Sequence, residues 1–143
     1  MLIGQHEHTI DTKNRMALPA KFRGELGDSV IITSGVDGCL SVFTQESWKE
    51  ESSRWNNSTI ASVEERSVAR VMLGNAAEVL LDKLGRILLP DYLKKIAGLD
   101  KNVVICGLLN RLEIWDKSKW QEYSKNAEKE VENMVSKLGN LGI

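Results

Sequence analysis

Short apolar runs separated by polar turns follow one another along the chain in an order that occurs twice. Each round opens with a short apolar segment ending at an aspartate, His8-Thr9-Ile10 before Asp11 and Glu78-Val79-Leu80-Leu81 before Asp82. Three residues intervene before Arg15 or Arg86, and a second apolar run follows, Met16-Ala17-Leu18 or Ile87-Leu88-Leu89. The spacing predicts two short strands around a three-residue loop, a class that commonly needs positive φ just before the returning strand. Asn14 and Gly85 hold that position, and both tolerate left-handed backbone. Pro19 and Pro90 then predict the first position of a short helix, where the missing N–H loses no hydrogen bond. Phe22 and Leu26, and Leu93 with Ile96 and Ala97, give each helix an apolar stripe. Gly27 and Gly98 are its stops, with Leu99 placed for the hydrophobic contact that often follows a glycine stop.

Two further strands are predicted in each round, Val30–Ser34 with Leu40–Phe43 and Asn102–Cys106 with Leu112–Trp115. Thr44 and Asp116 are helix caps, each preceded by an aromatic residue and followed four positions later by Trp48 or Trp120, the spacing of a hydrophobic staple. Between the rounds, Ser62 and Glu65 form a capping box for a helix to about Leu73, ended by Gly74. After the second round, Trp120, Ala127, Val131, Met134 and Leu138 suit one face of a long helix.

The two rounds are copies. Asp11, Arg15 and Pro19 recur 71 positions later as Asp82, Arg86 and Pro90. Val30-Ile31-Ile32 returns as Val103-Val104-Ile105, and Leu40-Ser41-Val42-Phe43 as Leu112-Glu113-Ile114-Trp115. A unit of roughly 45 residues is too small to bury its apolar faces alone, so the copies are expected to cover each other about a pseudo-two-fold axis. The fold class expected is mainly β with peripheral α-helices, as one closed or split barrel. The expected organisation is a first half at 5–48, a helical connector at 49–75, a second half at 76–120, and a C-terminal helix and tail at 121–143.

Composition narrows the function. The chain has 143 residues, 42% hydrophobic and 27% charged, which suits one soluble globular domain. No apolar run approaches the ~20 residues of a membrane span, and Met-Leu-Ile-Gly-Gln-His lacks the features of a signal peptide, so a cytoplasmic protein is expected. Net charge is −1, which excludes a generally basic nucleic-acid binder. Positive charge is nevertheless focused on the repeated motif: Lys13, Arg15, Lys21 and Arg23 stand against Asp11, and Lys83, Arg86, Lys94 and Lys95 against Asp82 and Asp91. That focus favours an anionic partner there.

Other chemistry is thin. Cys39 and Cys106 are too isolated for a disulfide framework or a zinc site and read as buried residues. His6 and His8 alternate along a strand without a third ligand nearby, so a surface or DNA-proximal pair is expected and no metal. Trp48, Trp55 and Trp120 read as packing residues. There is no nucleophile–base constellation and no phosphate-binding glycine loop, so neither an enzyme nor a cofactor or small-molecule substrate is expected.

The Asp-x-x-x-Arg turns carry what remains. Asp11 and Asp82, with Gly85, read as turn-formers. Arg15 and Arg86 leave the turn and allow two readings. Each could donate a bidentate pair to guanine in the major groove, with Lys13, Asn14 and Lys83 on phosphates or neighbouring bases. Each could instead pair with its own aspartate.

The doubled segments, each followed by an apolar triplet and proline, resemble the MraZ family of the SpoVT–AbrB superfamily from Leu2 to about Lys125. The resemblance implies a swapped-hairpin, double-split β-barrel built from two tandem AbrB-like halves of one chain. It implies a ring-shaped homo-oligomer and a nucleoid-associated bacterial transcriptional regulator. The DNA partner it implies is a set of direct repeats in the promoter of the division and cell-wall gene cluster that contains the regulator's own gene. The family's DNA-contacting loops carry over to Asp11, Arg15, Asp82 and Arg86. Antitoxin-type relatives usually have one barrel half and a disordered tail, which the two copies and helical tail here disfavour. Asn14 against Gly85, and Lys21/Arg23 against Lys94/Lys95, lead us to expect two unequal loops.

Overall fold

The uninterrupted β-branched runs at Val30–Ile32 and Val103–Ile105 are suited to strands buried on both faces, and they become the inner strands of one sheet. The computed structural model describes residues 1–58 and 62–139; residues 59–61 of the expected connector and 140–143 of the expected tail lie outside them. Among the described residues there are eight strands: β1 (Ile3–Thr9), β2 (Arg15–Ala17), β3 (Ser29–Ser34), β4 (Leu40–Thr44), β5 (Ala77–Leu80), β6 (Arg86–Leu88), β7 (Asn102–Leu108) and β8 (Leu112–Asp116). The helices are α1 (Arg23–Leu26), α2 (Gln45–Ser58), α3 (Val63–Gly74), α4 (Asp91–Ile96) and α5 (Lys117–Leu138), with a 3₁₀ turn at Ala20–Phe22. The architecture is α+β and mainly sheet. β1-β7-β8-β4-β3-β5 form one antiparallel sheet, and β2-β6 a separate two-stranded ribbon.

The copies exchange strands. β1 pairs with β7 of the second copy, and β5 with β3 of the first. The registers repeat: His8 opposite Val103 matches Val79 opposite Val30. At the middle of the sheet Ser41 faces Glu113, with Leu40–Ile114 and Val42–Leu112 on either side. At the middle of the ribbon Met16 faces Ile87, with Arg15–Leu88 and Ala17–Arg86 on either side. A pseudo-two-fold axis therefore runs through both central pairs, as the duplication predicts.

One expectation is corrected. The strands flanking each turn do not form a hairpin ladder; in the first copy they meet only at the Ile10–Met16 bridge. The returning strand leaves its neighbour to place Met16 against Ile87, both fully buried, in a core the copies share. That core is a single cluster holding Leu18, Phe22, Ile32 and Leu40 with their counterparts Leu89, Leu93, Ile105 and Leu112.

Local signals place the helices. The prolines sit one residue earlier than expected, as caps with φ near −55° and extended ψ, and in the first copy the helix opens as a 3₁₀ turn. α4 closes at Gly98, whose N–H reaches Lys95 O (3.0 Å) while Leu99 N–H reaches Lys94 O (2.9 Å). Both staples are in contact, Phe43 with Trp48 at 5.4 Å and Trp115 with Trp120 at 5.3 Å, and Trp55 meets Trp48 edge-on. Thr44 Oγ1 accepts from Ser47 N–H (3.0 Å) while Ser47 Oγ accepts from Thr44 N–H (3.1 Å). Thr44→Ala removes half of this reciprocal cap and is expected to cost about 1 kcal/mol, readable in urea denaturation. No change in the midpoint would show that the cap is idle. The apolar face of α5 exists, but Val131, Met134 and Leu138 on it are about half exposed in the single chain.

Candidate nucleic-acid interface

The two Asp-x-x-x-Arg turns have one geometry. Asp11 Oδ1 accepts from the backbone N–H of Lys13 (2.8 Å) and Arg15 (2.9 Å), and Oδ2 accepts from Arg15 Nε (2.9 Å). Asp82 Oδ1 likewise accepts from Leu84 and Arg86 N–H (both 2.9 Å), and Oδ2 from Arg86 Nε (2.8 Å). The backbone closes each turn between Asp11 and Arg15 and between Asp82 and Arg86. Asn14 and Gly85 take φ of 60° and 72°, the left-handed region the loop spacing predicts.

Both sequence readings of the arginines meet here. The ion pair with aspartate exists, yet it uses Nε alone, and among the described residues Nη1 and Nη2 of both arginines have no hydrogen-bond partner. The pair thus fixes the guanidinium plane and leaves its terminal fork for an outside acceptor. In an antiparallel ribbon, directly opposed residues share a face, so Arg15, Leu88, Ala17 and Arg86 lie on the side opposite buried Met16 and Ile87. Arg15 and Arg86 are diagonal neighbours there, about 7–8 Å apart at the backbone. Lys13 and Lys83 are exposed beside them.

Hydrogen bonds to the carboxylate form, from the Arg15 backbone N–H above all, hold the Asp11 carboxyl below its usual range; Arg86 N–H does the same for Asp82. The unfolded carboxyls titrate at about 3.9, so the turns stay intact above that pH and loosen as pH falls through the depressed native values. Protection of the Arg15 and Arg86 amides from hydrogen exchange is therefore expected to persist at about pH 5 and to fall only well below about pH 4. Loss of protection already near neutrality would contradict this.

Each turn is also held from the other copy. Leu18 N–H donates to Gly85 O (3.0 Å), and Leu89 N–H to Asn14 O (2.8 Å). Lys94 Nζ donates to Asn14 Oδ1 (3.0 Å). Arg23 donates through Nε and Nη2 to Leu18 O (3.2 and 3.0 Å), and its guanidinium lies where a Cβ on Gly85 would stand. The sequence presented Arg23 and Lys94 as charge only. Their shared place in the repeat, four residues after proline and 71 apart, was the available signal.

The remaining candidates lie elsewhere. His6 is half-buried: its ring meets Phe22 edge-on at 5.1 Å, with Nε2 buried and without a hydrogen-bond partner among the described residues, because β1 lays it over the core. Burial chiefly, then His6 and Arg23, pushes the His8 pKa down. Among the described residues no group of three His, Cys, Asp or Glu could hold a metal ion. Cys39 and Cys106 are free and buried, and burial with Glu113 nearby pushes the Cys39 thiol up to about 12, which leaves it protonated and unreactive at neutral pH. No described helix is long and apolar enough to cross a membrane.

Comparison with known proteins agrees with the duplication. Residues 1–71 and 72–138 each match the MraZ protein family, whose description adds "antitoxin-like". Over 143 residues, covering the whole of both chains, the sequence is 43% identical to a protein named Transcriptional regulator MraZ from Thermoanaerobacter pseudethanolicus. Proteins of the same name from Caldanaerobacter subterraneus subsp. tengcongensis and Acetivibrio thermocellus are 41% and 39% identical, again over both full lengths. The chain, matched along its length and twice over, belongs to the MraZ family.

Proposed function

We propose that this protein is a DNA-binding transcriptional regulator that reads direct repeats in its own promoter with the β2–β6 ribbon and its two turns. One observation carries the reading: Arg15 and Arg86 are diagonal neighbours on the outer face of a two-stranded ribbon, each tied to aspartate through Nε with its terminal fork free. The major groove, about 12 Å wide, admits such a ribbon, and an arginine fork matches guanine O6 and N7. Lys13 and Lys83 meet phosphates, and the Asn14 amide nitrogen adds a donor at the groove edge. The second turn adds exposed Leu84 and Leu88, suited to thymine methyl groups, where the first turn has Lys13. The turns thus read different base steps.

Around this surface, the exchange of β1 and β5 supports a double-split barrel whose halves are 5–48 and 76–120, joined by the 49–75 connector and followed by the 121–143 tail. A single chain of net charge −1 binds DNA weakly. A ring-shaped homo-oligomer in the cytoplasm, associated with the nucleoid, multiplies the contacts through effective concentration. The target is the division and cell-wall gene cluster, and no cofactor takes part.

The test is fluorescence anisotropy on a duplex from upstream of the chain's own gene, alongside the solution mass of the protein. Shifting the spacing between repeats by about half a helical turn (~5 base pairs) is expected to weaken binding more than loss of one contact does. Indifference to spacing would contradict the arrayed reading. A stoichiometric protein partner, with no affinity for the promoter duplex, would replace it with an antitoxin-like role.

A further inference from the structure

Arg23 and Lys94 occupy the same place in the two copies, yet they solve the same problem differently. Lys94 reaches across to Asn14 Oδ1. Arg23 holds Leu18 O of its own copy and in doing so covers Gly85 of the other, where a Cβ would come within 3.0 Å of the guanidinium. Asn14 and Gly85 each sit at the left-handed position of an arginine turn, immediately before Arg15 or Arg86. The carbonyls of both are held by the opposite copy, through Leu89 N–H and Leu18 N–H.

We propose that Arg23 and Lys94 are positioning residues for the DNA-reading arginines, and that Arg23–Gly85 and Lys94–Asn14 are matched pairs exchangeable only as pairs. The inference rests on the DNA reading above. A planar guanidinium needs a residue with no side chain beneath it; a slimmer ammonium needs an acceptor to reach. Asparagine opposite arginine overlaps it, and because Arg23 is the flexible partner it is Arg23 that yields, letting go of Leu18 O and loosening the residue whose N–H tethers Gly85 O. Glycine opposite lysine leaves an ammonium with nothing to hold. Either mismatch frees the turn that aims the adjacent arginine fork while leaving the core intact. The inequality between Asn14 and Gly85 is therefore a consequence of which cation faces each turn.

The experiment measures affinity for the upstream duplex, affinity for a shuffled duplex of the same composition, and melting temperature. The variants are Gly85→Asn, Gly85→Asn with Arg23→Lys, Asn14→Gly, and Asn14→Gly with Lys94→Arg. Gly85→Asn is expected to weaken upstream binding roughly tenfold, and adding Arg23→Lys to restore most of it, as coupled neighbours do. Asn14→Gly keeps the left-handed backbone open, so it folds; it is expected to weaken binding about threefold to tenfold, with Lys94→Arg restoring the part owed to turn placement and not the part owed to the lost Asn14 donor. Affinity for the shuffled duplex and its salt slope stay at the parent values, because every exchange preserves charge. Double variants no better than their singles, or single variants that bind like the parent, would overturn the pairing. Equal losses on both duplexes together with a lower melting temperature would also overturn it, since that is a merely structural effect. If Gly85→Asn fails to assemble, the Asn14 series decides. Arg86→Ala separates the two levels: if it binds like the parent, the DNA reading fails, and if it loses binding while the exchanges do nothing, only the pairing fails.

Discussion

Replacing Arg15 and Arg86 together by alanine is expected to remove specific promoter binding, with a loss on the order of 10²–10³ in affinity. A bidentate arginine–guanine contact contributes about 1–3 kcal/mol of discrimination, and about 1.4 kcal/mol corresponds to tenfold. The two side chains are neighbours on one face, so their losses are not expected to add simply. The fold is expected to survive. Asp11 and Asp82 still accept the backbone N–H groups of their turns, and the ion pairs lost are half-exposed ones of the kind that contribute about 0–1 kcal/mol. Arginine to lysine is the sharper variant: it keeps the charge and removes the fork. It should retain affinity for shuffled DNA while losing preference for the promoter. Anisotropy titrations on both duplexes decide the matter, and unchanged promoter affinity in a folded, normally assembled double-alanine variant would sink the assignment.

The second large effect is on stability. Phe22 is fully buried, belongs to the core shared by both copies, and carries the edge-on contact with His6. Phe22→Ala is expected to cost about 3–5 kcal/mol, a large part of the about 5–15 kcal/mol that holds a domain folded. Because strands and core are exchanged between copies, neither half retains a core of its own. Denaturant unfolding followed by tryptophan fluorescence and by circular dichroism should therefore show one coincident transition, shifted as a whole by the substitution. Two separable transitions, one insensitive to Phe22, would show that the halves fold independently.

The local features of this chain were legible because their causes lie within a few residues. The Asp-x-x-x-Arg turns, the left-handed Asn14 and Gly85, the Gly98 stop and the two staples all appear where the pattern puts them. The pairing of those elements was not legible. Alternation shows which face of a strand is buried, and says nothing about its partner, so the ribbon of β2 with β6 read as two separate hairpins. β1 begins at Ile3, ahead of any apolar alternation, because its pairing with β7 extends it. His6 looked like a surface residue for the same reason: Phe22, which covers it, is brought there by the fold. Arg23 and Lys94 were visible as charge, while the cover of Arg23 over Gly85 and the reach of Lys94 to Asn14 are contacts between copies that only the assembled fold creates. The arginines themselves could be picked out from sequence, but their shared face could not.

Methylation interference probes that shared face. Guanines of the upstream duplex are methylated at N7, which removes the acceptor an arginine fork needs, and the modified positions that block binding are mapped for the parent, Arg15→Ala and Arg86→Ala. The account predicts that certain guanines interfere with the parent, that one subset ceases to matter in Arg15→Ala and another in Arg86→Ala, and that the two subsets lie within a few base pairs of each other in every repeat. An interference pattern that is identical in all three proteins would contradict it.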